Sequence, residues 1–155
     1  MQSTNPKNIL TNLHLIRAGL ASGLLTKEEV VDWADKLIIK DEKPDIFFID
    51  LAMSSSKSKN DIIHYFNDYL NFESPLAPGR PLLGLLYSQY KNRQFNLKQT
   101  ICKLYSLKFE AIFTEREEGH IYSIDGEYEL AENKIYGTIE NVQIQLENFL
   151  ILYKD

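Results

Sequence analysis

Residues 26–38, Thr-Lys-Glu-Glu-Val-Val-Asp-Trp-Ala-Asp-Lys-Leu-Ile, combine a helix start with a helical hydrophobic pattern. The Thr26 hydroxyl can accept a hydrogen bond from the Glu29 amide, while the Glu29 carboxylate can accept one from the Thr26 amide, which makes a capping box. Val30, Ala34 and Leu37 follow at spacings of four and three residues and so fall on one helix face. The stretch therefore predicts an amphipathic helix that begins after Thr26.

Similar signals recur on both sides of this stretch, where capping residues precede apolar residues at helical spacing. The predicted helices cover approximately residues 6–20, 26–43, 45–53, 58–70, 82–92, 97–109 and 138 onward. Asn5, followed by Pro6, is the predicted N-cap of the first helix. Because the connections are short, consecutive helices are expected to pack as hairpins. The chain is therefore predicted to be all-α, with about seven helices in packed helical hairpins and a single domain over residues 1–155.

Two regions give weaker signals. Residues 73–81 contain three prolines and a glycine, which predicts a loop. Thr114 and Glu117 offer another capping box, but Gly119 and Gly126 interrupt the segment that follows. We expect residues 124–133 to be helical, and a strand over residues 120–124 is the alternative.

The composition is that of an ordinary globular domain, with 44% hydrophobic and 25% charged residues. The apolar runs reach four or five residues, whereas a membrane span needs about 20, and residues 1–7 lack a signal-peptide pattern. Cys102 is the only cysteine, which fits a reducing compartment. We therefore expect a cytoplasmic protein without a membrane partner. Cys102, between Ile101 and Leu104, is expected to be buried and inert.

The sequence contains no recognisable catalytic or metal-binding pattern. His14, His64 and His120 are too far apart in sequence to form a helical metal pair. Paired carboxylates such as Glu28 and Glu29 fall in first helical turns, where the helix dipole favours negative charge. We find no nucleophile elbow, phosphate-binding loop or calcium loop. The sequence therefore predicts no enzyme activity, no catalytic residue, no metal and no cofactor.

Charge and aromatic residues point instead to a protein partner. The net charge is −5 and the basic residues are scattered, so no nucleic acid is expected as a partner. Acids and tyrosines cluster between Thr114 and Tyr136, where the basic residues are Arg116 and Lys134. Tyrosines provide rigid contact area, and acids steer a basic partner. The predicted partner-binding residues are Glu117, Glu118, Tyr122, Asp125, Glu127, Tyr128 and Glu129. An ordinary solvated helix face is the default interpretation of such a cluster, and the partner-binding hypothesis is set against it.

A second aromatic series, Tyr65, Phe66, Tyr69 and Phe72, has helical spacing. We expect these side chains to lie mostly in the core, and a contact patch formed by the outer members of the series is the alternative.

Several short motifs resemble a family of small all-helical bacterial proteins, of the kind found as immunity proteins beside polymorphic toxin or contact-dependent inhibition genes. The motifs are Ala18-Gly19-Leu20, Gly23-Leu24-Leu25-Thr26, Val30-Val31-Asp32-Trp33-Ala34 and Ile49-Asp50-Leu51-Ala52, with further similarity over residues 83–105. The resemblance implies an immunity protein and carries no functional residues with it.

The leading hypothesis is therefore a non-enzymatic protein-binding domain. It would be an immunity protein that neutralises a cognate toxin by occlusion, and a basic toxin domain is the expected partner. The alternative is a helical adaptor or regulatory subunit that self-associates or docks to a larger assembly. An enzyme whose site is assembled from distant helices is a third hypothesis.

Overall fold

A computed structural model describes residues 6–154, and within this range the protein is entirely helical apart from its connections. The elements are α1 (Pro6–Ser22), α2 (Lys27–Lys40), α3 (Ile46–Ala52), α4 (Lys59–Leu70), α5 (Gly79–Lys91), α6 (Leu97–Glu110), α7 (Glu115–Glu132), α8 (Ile139–Leu150) and a 3₁₀ turn (Ile151–Tyr153). The all-α prediction is confirmed, with eight α-helices in the described range where about seven were expected. The predicted N-cap Asn5 lies outside the described residues.

The helix starts follow the predicted capping chemistry. Both predicted capping boxes are present: Thr26 pairs with Glu29 at α2, and Thr114 pairs with Glu117 at α7. The structure adds a third at α6, between Asn96 and Gln99, which the sequence reading missed. Local hydrogen bonding therefore fixes where these helices begin.

The chain divides into two compact units, Met1–Ala77 and Pro78–Asp155. In the first unit, α2 packs mainly against α3, and α1 packs against α4. This differs from the predicted hairpins of consecutive helices, α1 with α2 and α3 with α4. The single domain over residues 1–155 stays a prediction.

The core of the first unit contains a cluster of aromatic rings among aliphatic side chains. Phe47 and Phe48 of α3 are buried in edge-to-face contact, with ring centroids 5.1 Å apart, and Trp33 of α2 meets Phe48 at 5.8 Å. Tyr65 and Tyr69 of α4 stack on Phe47 at 4.8 and 4.1 Å. Because a seven-residue helix is unstable alone, this packing holds α3 in place.

The aromatic series on α4 thus lies at the core as predicted. Phe66 is fully buried, while Tyr65, Tyr69 and Phe72 are half-buried.

In the second unit, each helix packs on the next, and α5 also packs on α8, so α5 to α8 form a four-helix bundle. The core is mainly aliphatic, with one buried aromatic ring, Phe149. The buried aliphatic residues are Leu82, Leu83, Leu86, Ile101, Leu104, Leu107, Ile121, Ile124, Val142, Leu146 and Leu150. Sequential hairpins are therefore correct for this unit.

Helix α5 begins inside the segment predicted as a loop. Gly79 donates its amide to the Ile112 carbonyl at 3.0 Å, and a Cβ at this position would lie 2.2 Å from the Phe113 ring and 2.6 Å from the Ile112 oxygen. The close backbone approach needs a glycine, and the helix starts there. The loop prediction for residues 79–81 is wrong for this reason.

Helix α7 runs without a break through Gly119 and Gly126, so the alternative strand over residues 120–124 is wrong. A mid-helix glycine costs about 1 kcal/mol relative to alanine. The capping box at Thr114 and the buried residues Ile121 and Ile124 outweigh that cost.

Cys102 is exposed, contrary to prediction. Ile101 and Leu104 take the buried face of α6. The residue after Ile101 is rotated by about 100° around the helix, which carries Cys102 away from the core.

A candidate protein-binding surface on helix α7

The seven predicted partner-binding residues all lie on α7, but the helix distributes them over different faces. Glu118, Tyr122, Asp125 and Glu129 follow one another at spacings of four, three and four residues, which places them along one line. We call this line the acidic stripe. Glu129 is exposed, Tyr122 is 52% exposed, and Glu118 and Asp125 are half-buried. The stripe runs for about 16 Å along the helix.

Glu117 points away from this stripe and is 5% exposed. Its carboxylate accepts from the Thr114 amide at 2.9 Å, and Arg80 Nε lies 3.6 Å from its Oε2 atom. Burial alone would raise the pKa of Glu117, but hydrogen bonds from Thr114 and the Tyr153 hydroxyl, with the Arg80 charge, lower it. The structure therefore gives Glu117 an internal capping role.

Glu127 and Tyr128 also lie off the stripe. Glu127 sits on the opposite flank of α7, where it accepts from Ser123 Oγ at 3.2 Å. It lines a small groove of about 260 Å³ together with Tyr136, Thr138 and Asn141. Tyr128 is half-buried and donates to Glu132 at 2.8 Å. The sequence grouped these residues by composition, and the helix separates them.

The acidic stripe concentrates like charge. Burial first, and the Glu129 charge second, raise the pKa of Asp125. Asp125 and Glu129 are four residues apart, a spacing at which like charges on a helix repel. A cation placed beside this pair would relieve the repulsion.

Helix α6 places lysines beside the line of α7 acids. Lys98 forms an ion pair with Glu132 at 3.3 Å, one turn beyond the stripe. Lys108 donates to the Tyr122 hydroxyl, and its ammonium lies 3.5 Å from the centroid of the Tyr122 ring. The sequence did not reveal these lysines as part of the surface, because only the packing of α6 on α7 brings them next to the α7 side chains.

The histidines occupy three different environments. His64 is exposed, His14 is buried in the first unit, and His120 stacks on Phe149 with ring centroids 5.1 Å apart. Among the described residues, no three His, Cys, Asp or Glu side chains gather into a group that could hold a metal ion.

A groove with a volume of about 710 Å³ lies at the start of α5 and the C-terminal turn. Its lining includes Pro81, Leu85 and Leu152 together with the basic residues Arg80 and Lys154. None of the helices between residues 6 and 154 is both long and apolar enough to span a bilayer.

Comparisons with known proteins return no relative. No protein-family model matches the chain, and no curated protein or solved structure resembles it significantly.

Proposed function

We propose that this protein is a non-enzymatic protein-binding domain that engages a basic partner through the acidic stripe. We propose further that it is an immunity protein, which neutralises a bacterial toxin by covering the toxin's functional surface. The observation that carries the binding proposal is the adjacent like charge of Asp125 and Glu129 on a solvent-facing side of α7.

The support is electrostatic and geometric. An array of carboxylates accelerates encounter with a basic surface and disfavours acidic competitors. Tyr122, in the middle of the array, offers a rigid amphipathic ring that is half available for contact. Since a stable interface buries about 800 Å² on each partner, neighbouring surface must contribute as well.

The proposed immunity role is supported by this surface together with the motif resemblance. Toxins that act on nucleic acids need basic clefts to hold phosphates, and an acidic helix face complements such a cleft. Occlusion requires only tight, specific binding and no chemistry from this chain.

The test begins with capture from a host lysate on the tagged full-length protein, at low and then moderate salt, followed by mass spectrometry. The partner is then purified, and its association rate with the wild-type chain is measured against a triple variant, Glu118→Gln, Asp125→Asn and Glu129→Gln. We expect a stoichiometric complex whose association slows about tenfold or more in the variant, with a weakened salt dependence.

The matched control removes three acids from α2 in the first unit: Glu28→Gln, Asp32→Asn and Asp35→Asn. The net charge change is the same, so equal slowing by both triple variants would contradict a site on α7. Restoration of toxin activity by the α7 variant alone would support the immunity role. A partner without a basic surface would contradict the electrostatic basis.

A second candidate function is self-association, the adaptor hypothesis. Ile144 of α8 is 56% exposed, and Ile151 and Leu152 of the terminal turn are 45% and 72% exposed. Such exposed apolar side chains favour contact with another protein surface. Sedimentation of the purified chain tests this hypothesis directly. The adaptor role would be favoured if the wild-type chain sediments as a dimer and the double variant Ile144→Ser, Leu152→Ser sediments as a monomer.

A further inference from the structure

An aromatic cluster on α6 and α7 surrounds one lysine. The Lys108 ammonium lies 3.5 Å from the ring centroid of Tyr122, 5.1 Å from that of Phe109 and 5.9 Å from that of Tyr105. Tyr105 contacts both other rings edge to face, with centroids 5.5 and 6.1 Å away. We call these three rings the aromatic cage. Each ring is within the range over which a cation and an aromatic face attract each other.

The cage is on the surface and adjoins the acidic stripe. Phe109 is 57% exposed and Tyr122 is 52% exposed, although large aromatic side chains usually bury more of their area. Tyr122 belongs to both features, and Asp125 and Glu129 follow it on the same line of α7. A cation in the cage would therefore sit next to a region of negative charge.

The occupant in the free protein is a flexible side chain. Lys108 sits in the last turn of α6 and reaches the rings through a four-carbon stem. A lysine ammonium in water is strongly hydrated, so Lys108 can leave the rings without losing a buried partner. The rings are held separately by contact with one another.

We propose that the aromatic cage is a cation site for a lysine side chain of a basic protein partner, and that Lys108 fills it until the partner binds. The inference rests on the proposed function, because the cage would bind a positively charged side chain of the proposed basic partner. The incoming ammonium replaces Lys108 at the rings, and Lys108 moves into solvent. The acidic stripe stabilises the remaining positive charge of the partner, which gives the partner its advantage over the internal lysine.

The test uses tetramethylammonium chloride as the probe, because this cation has no N–H donors and binds aromatic rings by charge alone. Binding to the full chain is followed by NMR of the aromatic ring signals, with sodium chloride at matched concentration as the ionic-strength reference. Lys108→Ala removes both the ammonium and its carbon stem from the cage, and we expect it to tighten probe binding about threefold or more. Adding Tyr122→Leu to that variant should return the affinity to the wild-type level or below.

Lys98→Ala is the matched control, because it removes a positive charge from the same helix without touching the cage. Equal effects of Lys98→Ala and Lys108→Ala would overturn the proposal, as the gain would then be general electrostatics. Helical circular dichroism verifies that each variant is folded. Where Lys108→Ala unfolds the chain, Lys108→Ser replaces it.

The two proposals fail separately. Suppose that the α7 triple variant associates with the partner as fast as the wild-type chain, while tetramethylammonium still binds the cage. The proposed function would then be wrong, and the cage would remain a cation site. If instead the triple variant associates more slowly but tetramethylammonium does not bind the cage, the acidic stripe would remain the binding surface and the cage proposal would be wrong.

Discussion

The two compact units reach a helical fold by different means. The first unit uses large rings: Phe47, Phe48 and Phe66 are fully buried around the short helix α3. The second unit is a bundle of longer helices whose core is mainly leucine, isoleucine and valine, with Phe149 as its buried ring. In the first unit α1 packs on α4, and in the second each helix packs on its neighbour in sequence.

Their polar groups differ as well. The first unit buries His14 and Arg17, and the Arg17 guanidinium lies 3.6 Å from the centroid of the Phe72 ring. The second unit carries the acidic stripe and the aromatic cage at its surface. A core that depends on a few large side chains tolerates little change, whereas a bundle surface can vary without loss of the fold. We therefore expect core substitutions in the first unit to damage the fold most, and we propose the surface of the second unit as the binding site.

The largest expected effect is on the aromatic core. Phe47→Ala removes the ring that contacts Phe48, Phe66, Tyr65 and Tyr69, and should destabilise the first unit by about 3–5 kcal/mol. Urea unfolding measures it with two probes. Fluorescence of Trp33, the one tryptophan in the chain, reports the first unit, and circular dichroism reports both units.

The same experiment tests the predicted single domain. Coincident fluorescence and circular-dichroism transitions in the variant would indicate one cooperative domain. An early fluorescence transition followed by a separate helical one would indicate that the second unit is stable by itself. An unchanged fluorescence midpoint would contradict the central position of Phe47.

A smaller effect is expected from the glycine that begins the bundle. Gly79→Ala places a methyl group against the Phe113 ring and the Ile112 oxygen, and should cost about 1–3 kcal/mol. Gly126→Ala is the control in the same unit: its Cβ meets nothing within 4 Å, so helix propensity should add up to about 1 kcal/mol. Thermal melting followed by circular dichroism separates them, and a destabilised Gly126→Ala would contradict the open environment on α7.

The smallest effect is a pH dependence confined to the first unit. Burial first, and the Arg17 charge second, lower the pKa of His14 from its ordinary value of 6.5. The unfolded chain therefore binds the His14 proton more readily than the folded one. This contribution to stability is complete above about pH 6.5 and is lost as the pH falls through 6.5 towards the lower folded-state pKa.

Urea midpoints from Trp33 fluorescence, between neutral pH and about pH 5, measure this loss. His14→Gln should flatten the dependence, and His64→Gln, which changes an exposed histidine of the same unit, should leave it unchanged. A dependence that survives His14→Gln would assign it to another group.

The sequence alone determined the helical class and most helix starts, because both depend on neighbours within a few residues. Capping boxes at Thr26 and Thr114 require only local hydrogen bonds, and both are present. Apolar spacing also identified buried residues such as Val30, Ala34 and Leu37. These signals are local, so a single sequence carries them.

Part of the candidate site was also visible, since acids and tyrosines of α7 cluster in sequence. The sequence did not show how the helix divides that cluster. Glu117 is buried and caps the helix, whereas Asp125 and Glu129 lie together on the acidic stripe. The exposure of Cys102 depends on the same rotation of about 100° per residue, relative to a core that only the packed helices define.

The tertiary structure alone decided which helices meet. The pairing of α1 with α4, the close approach at Gly79 and the contact of Lys108 with Tyr122 all join residues distant in sequence. Such contacts depend on the shapes and volumes of facing surfaces, which periodicity does not encode. The sequence thus determined the helices and their charges, and packing determined the surface those charges form.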